Sequence, residues 1–324
     1  MTAIQDVETA EDRINTVINR IREAVITDKQ FLETVTTGLL ARGHVLLEDV
    51  PGTGKTLTAI ALAQALDLDF NRIQFTPDLL PSDITGSQIY NEETGEFRFQ
   101  RGPVFANIVL ADEINRAPTK TQSALLEAMD EKQVSVGGTT YELPDPFFVI
   151  ATQNPIEQEG TFRLPEAQRD RFVVKTSIGY PDRSGEIELI TRRENRTTQM
   201  PTVDPVVTTE QVTTLRQLPE QVGIEADIKG YLVDLVRATR EDSRVDVGVS
   251  PRGVQRFFEA ARSRAVIYGR NYVTPNDIKT IAPPVMTHRL VLTSEADIRD
   301  VDPTDIVEDI LDSVEVPAAT AADD

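Results

Sequence analysis

The chain has no cysteine, no tryptophan, only two histidines, and only seven lysines among its 33 basic residues. The lack of cysteine excludes disulfides, thiolate metal sites and cysteine nucleophiles. His44 and His288 alone, one in each half of the chain, supply too few ligands for a zinc site. No stretch of eighteen apolar residues occurs, so no transmembrane helix is expected. The first residues, Met1 to Asp6, carry neither a basic region nor an apolar block. No signal peptide is read there, and a cytoplasmic location is the expectation.

What is abundant is acid. The formal net charge is −20 over 324 residues. Such a surface repels nucleic acid. It is also what a chain needs to stay hydrated at high salt, and the arginine-over-lysine balance with many Asp, Thr and Val residues resembles haloarchaeal proteins. The length suggests about two domains.

Short apolar strands alternate with helices in the first half: His44–Leu47, Asn71–Phe75, Asn107–Ala111, Phe147–Ala151 and Phe172–Ser177. Two-faced burial of such runs predicts a doubly wound α/β parallel sheet. Ile14, Val17, Ile18, Ile21 and Val25 recur at helical spacing, and a second helix is expected over Asp28 to Arg42. Two hairpins interrupt the alternation. One turns at 91–95 and the other at Gly137-Gly138. From about Pro181 the pattern is helical. The expected organisation is a nucleotide-binding core over 1–180 with two hairpin inserts, a helical lid over 181–315, and a disordered acidic tail over 316–324.

The most informative segment is E-D-V-P-G-T-G-K-T, Glu48 to Thr56, between a strand and an alanine-rich helix. A glycine-rich turn in that context points its N–H groups inward around phosphate oxygens, and the helix N-terminus adds partial positive charge. The binding segment is Asp49, Val50, Pro51, Gly52, Thr53, Gly54, Lys55, Thr56 and Leu57. Lys55 reaches the outer phosphates and the Thr56 hydroxyl is a Mg²⁺ ligand. Asp49 stands where such loops usually have their first glycine.

About 55 residues on, a hydrophobic strand ends in Asp112 and Glu113. Asp112 suits the Mg²⁺ shell and Glu113 the activation of a water for in-line attack. Asn154, in A-T-Q-N-P at a strand tip, could orient that water; a turn asparagine before proline is the alternative. In L-P-E-A-Q-R-D-R-F, Arg171 is the first candidate for an arginine finger and Arg169 the second, with a surface ion pair to Asp170 as the alternative. Arg252, in S-P-R-G, falls in the first turn of a helix, where a cation opposes the helix dipole. Phe97 and Phe99 alternate on the first hairpin, either as packing or as a surface for a client. Arg116 suits a contact between subunits or a local ion pair.

Together with A-D-E-I-N-R-A-P-T-K-T-Q, these motifs resemble the MoxR family of AAA+ ATPases over about residues 10–315. The resemblance implies a P-loop NTPase core with a C-terminal helical lid, ATP and Mg²⁺ as cofactors, and membership of the clade with a hairpin in its second helix. It implies that Lys55 and Thr56 belong to Walker A, Asp112 and Glu113 to Walker B, Asn154 to sensor 1 and Arg252 to sensor 2, acting in cis or on a neighbour. It also implies a homo-oligomeric ring, usually a hexamer, that remodels or matures client protein complexes, often with a von Willebrand factor A domain partner. Two alternatives stay open: a nucleic-acid-stimulated motor, and a nucleotide-gated scaffold with little turnover.

Overall fold

The structure, a computed structural model, describes residue 4 and residues 6–93, 95–155, 162, 164–195 and 202–317. Most of the expected tail therefore lies outside the described residues. Two helices lead in, α1 (Val7–Ala24) and α2 (Lys29–Leu40). Then follow β1 (Val45–Glu48), α3 (Lys55–Ala65), β2 (Phe70–Gln74), α4 (Pro81–Thr85), β3 (Gly86–Asn91), β4 (Glu96–Arg101) and β5 (Ile108–Asp112). Next come α5 (Thr119–Glu131), β6 (Gln133–Val136), β7 (Thr139–Glu142), β8 (Phe148–Gln153), α6 (Glu166–Arg169) and β9 (Val174–Thr176).

Five strands form one parallel sheet in the order β2-β5-β8-β1-β9. Their side chains split between two cores at a period of two. Val45, Leu47, Ile108, Leu110, Phe148 and Ile150 face one cluster. Leu46, Val109, Ala111, Val149 and Ala151 face the other, with α5. This alternation explains why the strands read as unbroken apolar runs: both faces are covered. The two hairpins stand as separate antiparallel pairs, β3 with β4 and β6 with β7, where turn residues predicted them.

The remaining elements are α7 (Arg183–Glu194), α8 (Thr209–Leu215), α9 (Ala226–Glu241), β10 (Val245–Val247), α10 (Pro251–Ile267), α11 (Pro275–Met286), β11 (Val291–Leu292), α12 (Ser294–Ile298) and α13 (Pro303–Ser313). The helical expectation holds, with one addition. Strands β10 and β11 form a short antiparallel ribbon, too brief for alternation to reveal. Residues Tyr231, Leu235, Phe257, Ala261 and Ile278 of the helical part share an apolar cluster with Ile14, Ile18 and Ile21 of α1. One core thus runs continuously from the leading helices into the helical part.

Candidate active site

The loop between β1 and α3 lies at the carboxyl ends of the sheet strands, beside the central strands, where parallel α/β sheets bind ligands. Gly52 and Gly54 adopt φ of 90° and 92°, a left-handed backbone that side-chain-bearing residues rarely take. Helix α3 starts at Lys55, so its free N–H groups face the loop. The Lys55 ammonium donates to the carbonyl oxygens of Asp49 at 2.8 Å and Val50 at 3.0 Å, closing the loop on itself.

Asp49 explains its own departure from glycine. Its buried carboxylate accepts from the backbone N–H groups of Ile178 (2.7 Å), Gly179 (3.0 Å) and Val50 (3.0 Å). The phosphate loop is thereby clasped to the segment that leaves β9 for the helical part.

The two acids at the end of β5 are held differently. Asp112 is buried; its Oδ1 accepts from the Thr152 hydroxyl at 2.6 Å. Its Oδ2 accepts from the Arg72 guanidinium through Nη2 (2.6 Å) and Nε (3.1 Å). Glu113 sits at φ 58°, ψ 49°, an unusual left-handed position that costs about 1 kcal/mol or more and recurs at functional sites. Its Oε2 accepts from the Gln74 amide at 2.8 Å and pairs with Arg116 at 3.2 Å. The Thr152 hydroxyl also accepts from the Glu113 N–H at 2.9 Å, so β8 fixes both acids through one side chain. Asn154 follows β8 directly, one residue beyond Gln153, whose amide bonds Glu48 at 2.6 Å. A hydroxyl at the start of α3 and a carboxylate at the end of β5 are hard oxygen donors, the set that Mg²⁺ takes together with phosphate oxygens. The residues therefore fit the expected metal.

The arginines lie elsewhere. Arg171 and Arg252 both pair with Asp130 at the end of α5, at 3.2 and 2.7 Å. Asp130 adjoins Met129, whose carbonyl contacts His44, the residue just before β1. This is the amino end of the strands, whereas the loop is at their carboxyl end. Five residues of extended chain from His44 to Asp49 span about 16 Å. Asp170 does not pair with Arg171, contrary to the alternative considered from sequence. It instead accepts from Ser250 (3.1 Å) and from Arg289 (2.7 Å). Ser250 caps α10 by accepting from the Gly253 N–H at 3.0 Å. Gly253 itself is packed too closely for a side chain: a Cβ would stand 2.5 Å from Val249 and 3.1 Å from Arg289. The segment carrying Arg171 and the helix carrying Arg252 are thus locked together.

Residues 44–174 match the model of the ATPase family associated with various cellular activities, and residues 237–310 match the AAA lid domain. Chaperone MoxR1 of Mycobacterium tuberculosis is 42% identical over 94% of this chain and 82% of its own length. Protein MoxR of Methylorubrum extorquens is 32% identical over 86% and 88%. A solved crystal structure of a Cytophaga hutchinsonii protein assigned as an ATPase is 42% identical, with a TM-score of 0.88, covering 95% of this chain and 96% of that one. The chain belongs to the MoxR family of AAA ATPases.

Several residues of this MoxR-family ATPase have contacts that the sequence did not disclose, though Thr152 and Gln122 lie within the quoted motifs. Arg72, Gln74 and Thr152 contact the acids from neighbouring strands, and a lone polar residue in a strand has no spacing to mark it. Arg289 is buried, and desolvation lowers its pKa to about 10 despite Asp170. Gln122, the last residue of the second motif, is buried and donates to the carbonyls of Ile114, Ala117 and Phe162, so its role is to staple the loop after the acids. Arg116 makes a local ion pair with Glu113, the second of its two expected uses. The hairpin aromatics split. Phe99 stacks on Tyr141 at 4.0 Å and meets Phe105 edge-on, whereas Phe97 is 68% exposed beside Tyr90.

His44 is structural. Its Nδ1 accepts from the Val149 N–H at 3.0 Å, which leaves Nε2 as the donor to Met129 at 3.2 Å. Burial pushes its pKa down to about 3.

Proposed function

We propose that this ATPase binds ATP and Mg²⁺ between two copies of the chain. One copy supplies the loop 49–57 with Asp112 and Glu113, and the next supplies Arg171 and Arg252. The observation that carries this reading is the separation within one chain: both arginines meet at Asp130, at the opposite end of the sheet from the loop. Neither can serve its own phosphate loop without large rearrangement, so Arg252 acts in trans.

In this reading Lys55 leaves the loop carbonyls to hold the outer phosphates, and Glu113 takes a proton from the attacking water that Asn154 orients. Thr56 and Asp112 would hold Mg²⁺, which supplies neutralisation of charge on the phosphate oxygens. Arg171 stabilises charge developing on the γ-phosphate of the adjoining copy. The Asp49 clasp passes loop movement to the helical part. Repetition of one such heterologous contact closes a ring, and a hexamer is the expected size.

The work done is remodelling or maturation of a protein complex. The similarity to a chaperone of this family and the exposed aromatic face of the first hairpin support it. A partner with a von Willebrand factor A domain fits the family. The hairpin inserts support placement in the clade that carries one in its second helix. The organisation we infer is a core to residue 180, a lid over 181–315 and a tail. No helix among the described residues is long and apolar enough to cross a membrane, and we place the protein in the cytoplasm. The acidic, lysine-poor composition supports a haloarchaeal source.

The test is a pair of variants. Glu113→Gln should bind ATP as the wild type does but lose about 10²- to 10⁴-fold in phosphate release, the scale of a general base. Lys55→Ala should weaken ATP binding itself. Unchanged phosphate release in Glu113→Gln overturns the assignment of the base.

A further inference from the structure

We propose that Arg72 is a latch on the metal site: it must leave Asp112 before a metal–nucleotide complex can settle, and its departure loosens the Gln74 contact on Glu113. The inference rests on the site assignment above and adds to it a residue with no part in the expected motifs.

The geometry is a single chain of contacts. The Arg72 guanidinium places two nitrogens on Oδ2 of Asp112, at 2.6 and 3.1 Å. The other carboxylate oxygen, Oδ1, accepts from the Thr152 hydroxyl at 2.6 Å. The oxygen left to face a metal is therefore the one that Arg72 covers. A guanidinium and a divalent cation cannot share that oxygen closely, because both are positive and the carboxylate carries one charge. The same Arg72 Nη2 also donates to Oε1 of Gln74 at 2.6 Å. That bond fixes which way the Gln74 amide points. Its Nε2 then has to face Glu113, and it donates to Oε2 at 2.8 Å. When Arg72 withdraws, Gln74 loses the contact that orients it, and its hold on Glu113 weakens. Vacating Asp112 is in this way coupled to a weaker Gln74 hold on Glu113, which still pairs with Arg116 at 3.2 Å.

Arg72 is placed to move. Its side chain is 46% exposed, whereas that of Asp112 is 11% exposed. The arginine can swing into water while the acid stays. It is a positioning residue, acting through Asp112 and Gln74 rather than on the phosphates.

The experiment compares wild type with Arg72→Met and Arg72→Lys, using Mn²⁺ with ADP as the probe and electron paramagnetic resonance to count free Mn²⁺. Arg72→Met should bind Mn²⁺·ADP about tenfold more tightly. The Mg²⁺ concentration giving half-maximal ATP hydrolysis should fall by a similar factor, with kcat at saturating Mg²⁺ at least that of wild type. Arg72→Lys keeps the charge but loses the fork, and should fall between the two. Equal or weaker Mn²⁺ binding in a folded Arg72→Met protein overturns the latch. So does a fall in kcat with an unchanged Mg²⁺ midpoint, since that marks a residue acting on the phosphates. If the methionine variant does not fold, the lysine variant decides by the same sign. Asp112→Asn separates the two levels of inference. If it binds Mn²⁺·ADP as well as wild type, the site assignment falls and the latch with it; if it binds poorly while Arg72→Met equals wild type, the latch alone falls.

Discussion

The two ends of the central sheet differ in kind. At the carboxyl end, the loop 49–57 and the acids of β5 are strung on hydrogen bonds that can be exchanged: Lys55 rests on loop carbonyls, and Glu113 on Gln74. At the amino end, Arg171 and Arg252 share Asp130, while Asp170 ties the core to the helical part through Ser250 and the buried Arg289. The first end offers contacts that a ligand could replace. At the other, Arg289 is buried, Arg171 is half-buried and Arg252 is exposed. In the reading proposed above, a single chain holds two half-sites, and a second copy makes one whole.

The sharpest way to break this comparison is to damage one end at a time. Arg171→Ala should lower ATP turnover by about 10³-fold or more, the scale of an arginine finger, while leaving ATP binding to the loop intact. Mixing Arg171→Ala with Lys55→Ala should recover part of the lost activity, because some seams then join two intact halves. Additive inactivity across all mixing ratios would show that both ends serve the same chain.

A smaller effect concerns the histidine that sits at the braced end. His44 is neutral in the folded state, its pKa pushed down to about 3, whereas the unfolded chain takes a proton near the usual 6.5. The unfolded state therefore binds more protons between those values. Stability is fully present above about pH 6.5 and is lost as pH falls, by at most about 1.4 kcal/mol per pH unit from this one group. Protonation would also set an Nδ1–H against the Val149 N–H. Urea unfolding from pH 7 to 5 should show a steeper loss in wild type than in His44→Gln. Parallel curves would remove His44 from the account.

The mildest prediction sharpens the other end. Asp49→Ala leaves the N–H groups of Ile178 and Gly179 without their acceptor, at a cost of about 2 kcal/mol in unfolding. It should also reduce ATP-dependent protection of the 178–185 backbone in hydrogen exchange. Unchanged protection would mean that the loop and the helical part move independently.

Much of the fold was legible because its signals are local. Unbroken apolar strands, glycine turns and the helical spacing of Ile14, Val17, Ile18 and Ile21 each speak within a few residues. The loop, Asp112 and Glu113 followed from motif spacing. What escaped is long-range. Nothing near Arg72 in the chain announces contact with Asp112, 40 residues away, and the motif that holds Thr152 does not name its partner. The ion pair of Asp170 with Arg289 crosses 119 residues, so the chain alone offered only a neighbouring arginine as its partner. The ribbon of β10 and β11 is two and three residues long, below the length at which alternation can be counted.

Asp49 carries a final consequence. Loops of this type usually begin with a residue that has no side chain and thus no grip on anything beyond the ligand. Here the first position is a hook, seated on two amides at the start of the connector. A shift of this loop would pull on that connector directly, through one side chain and without passing through the body of the sheet.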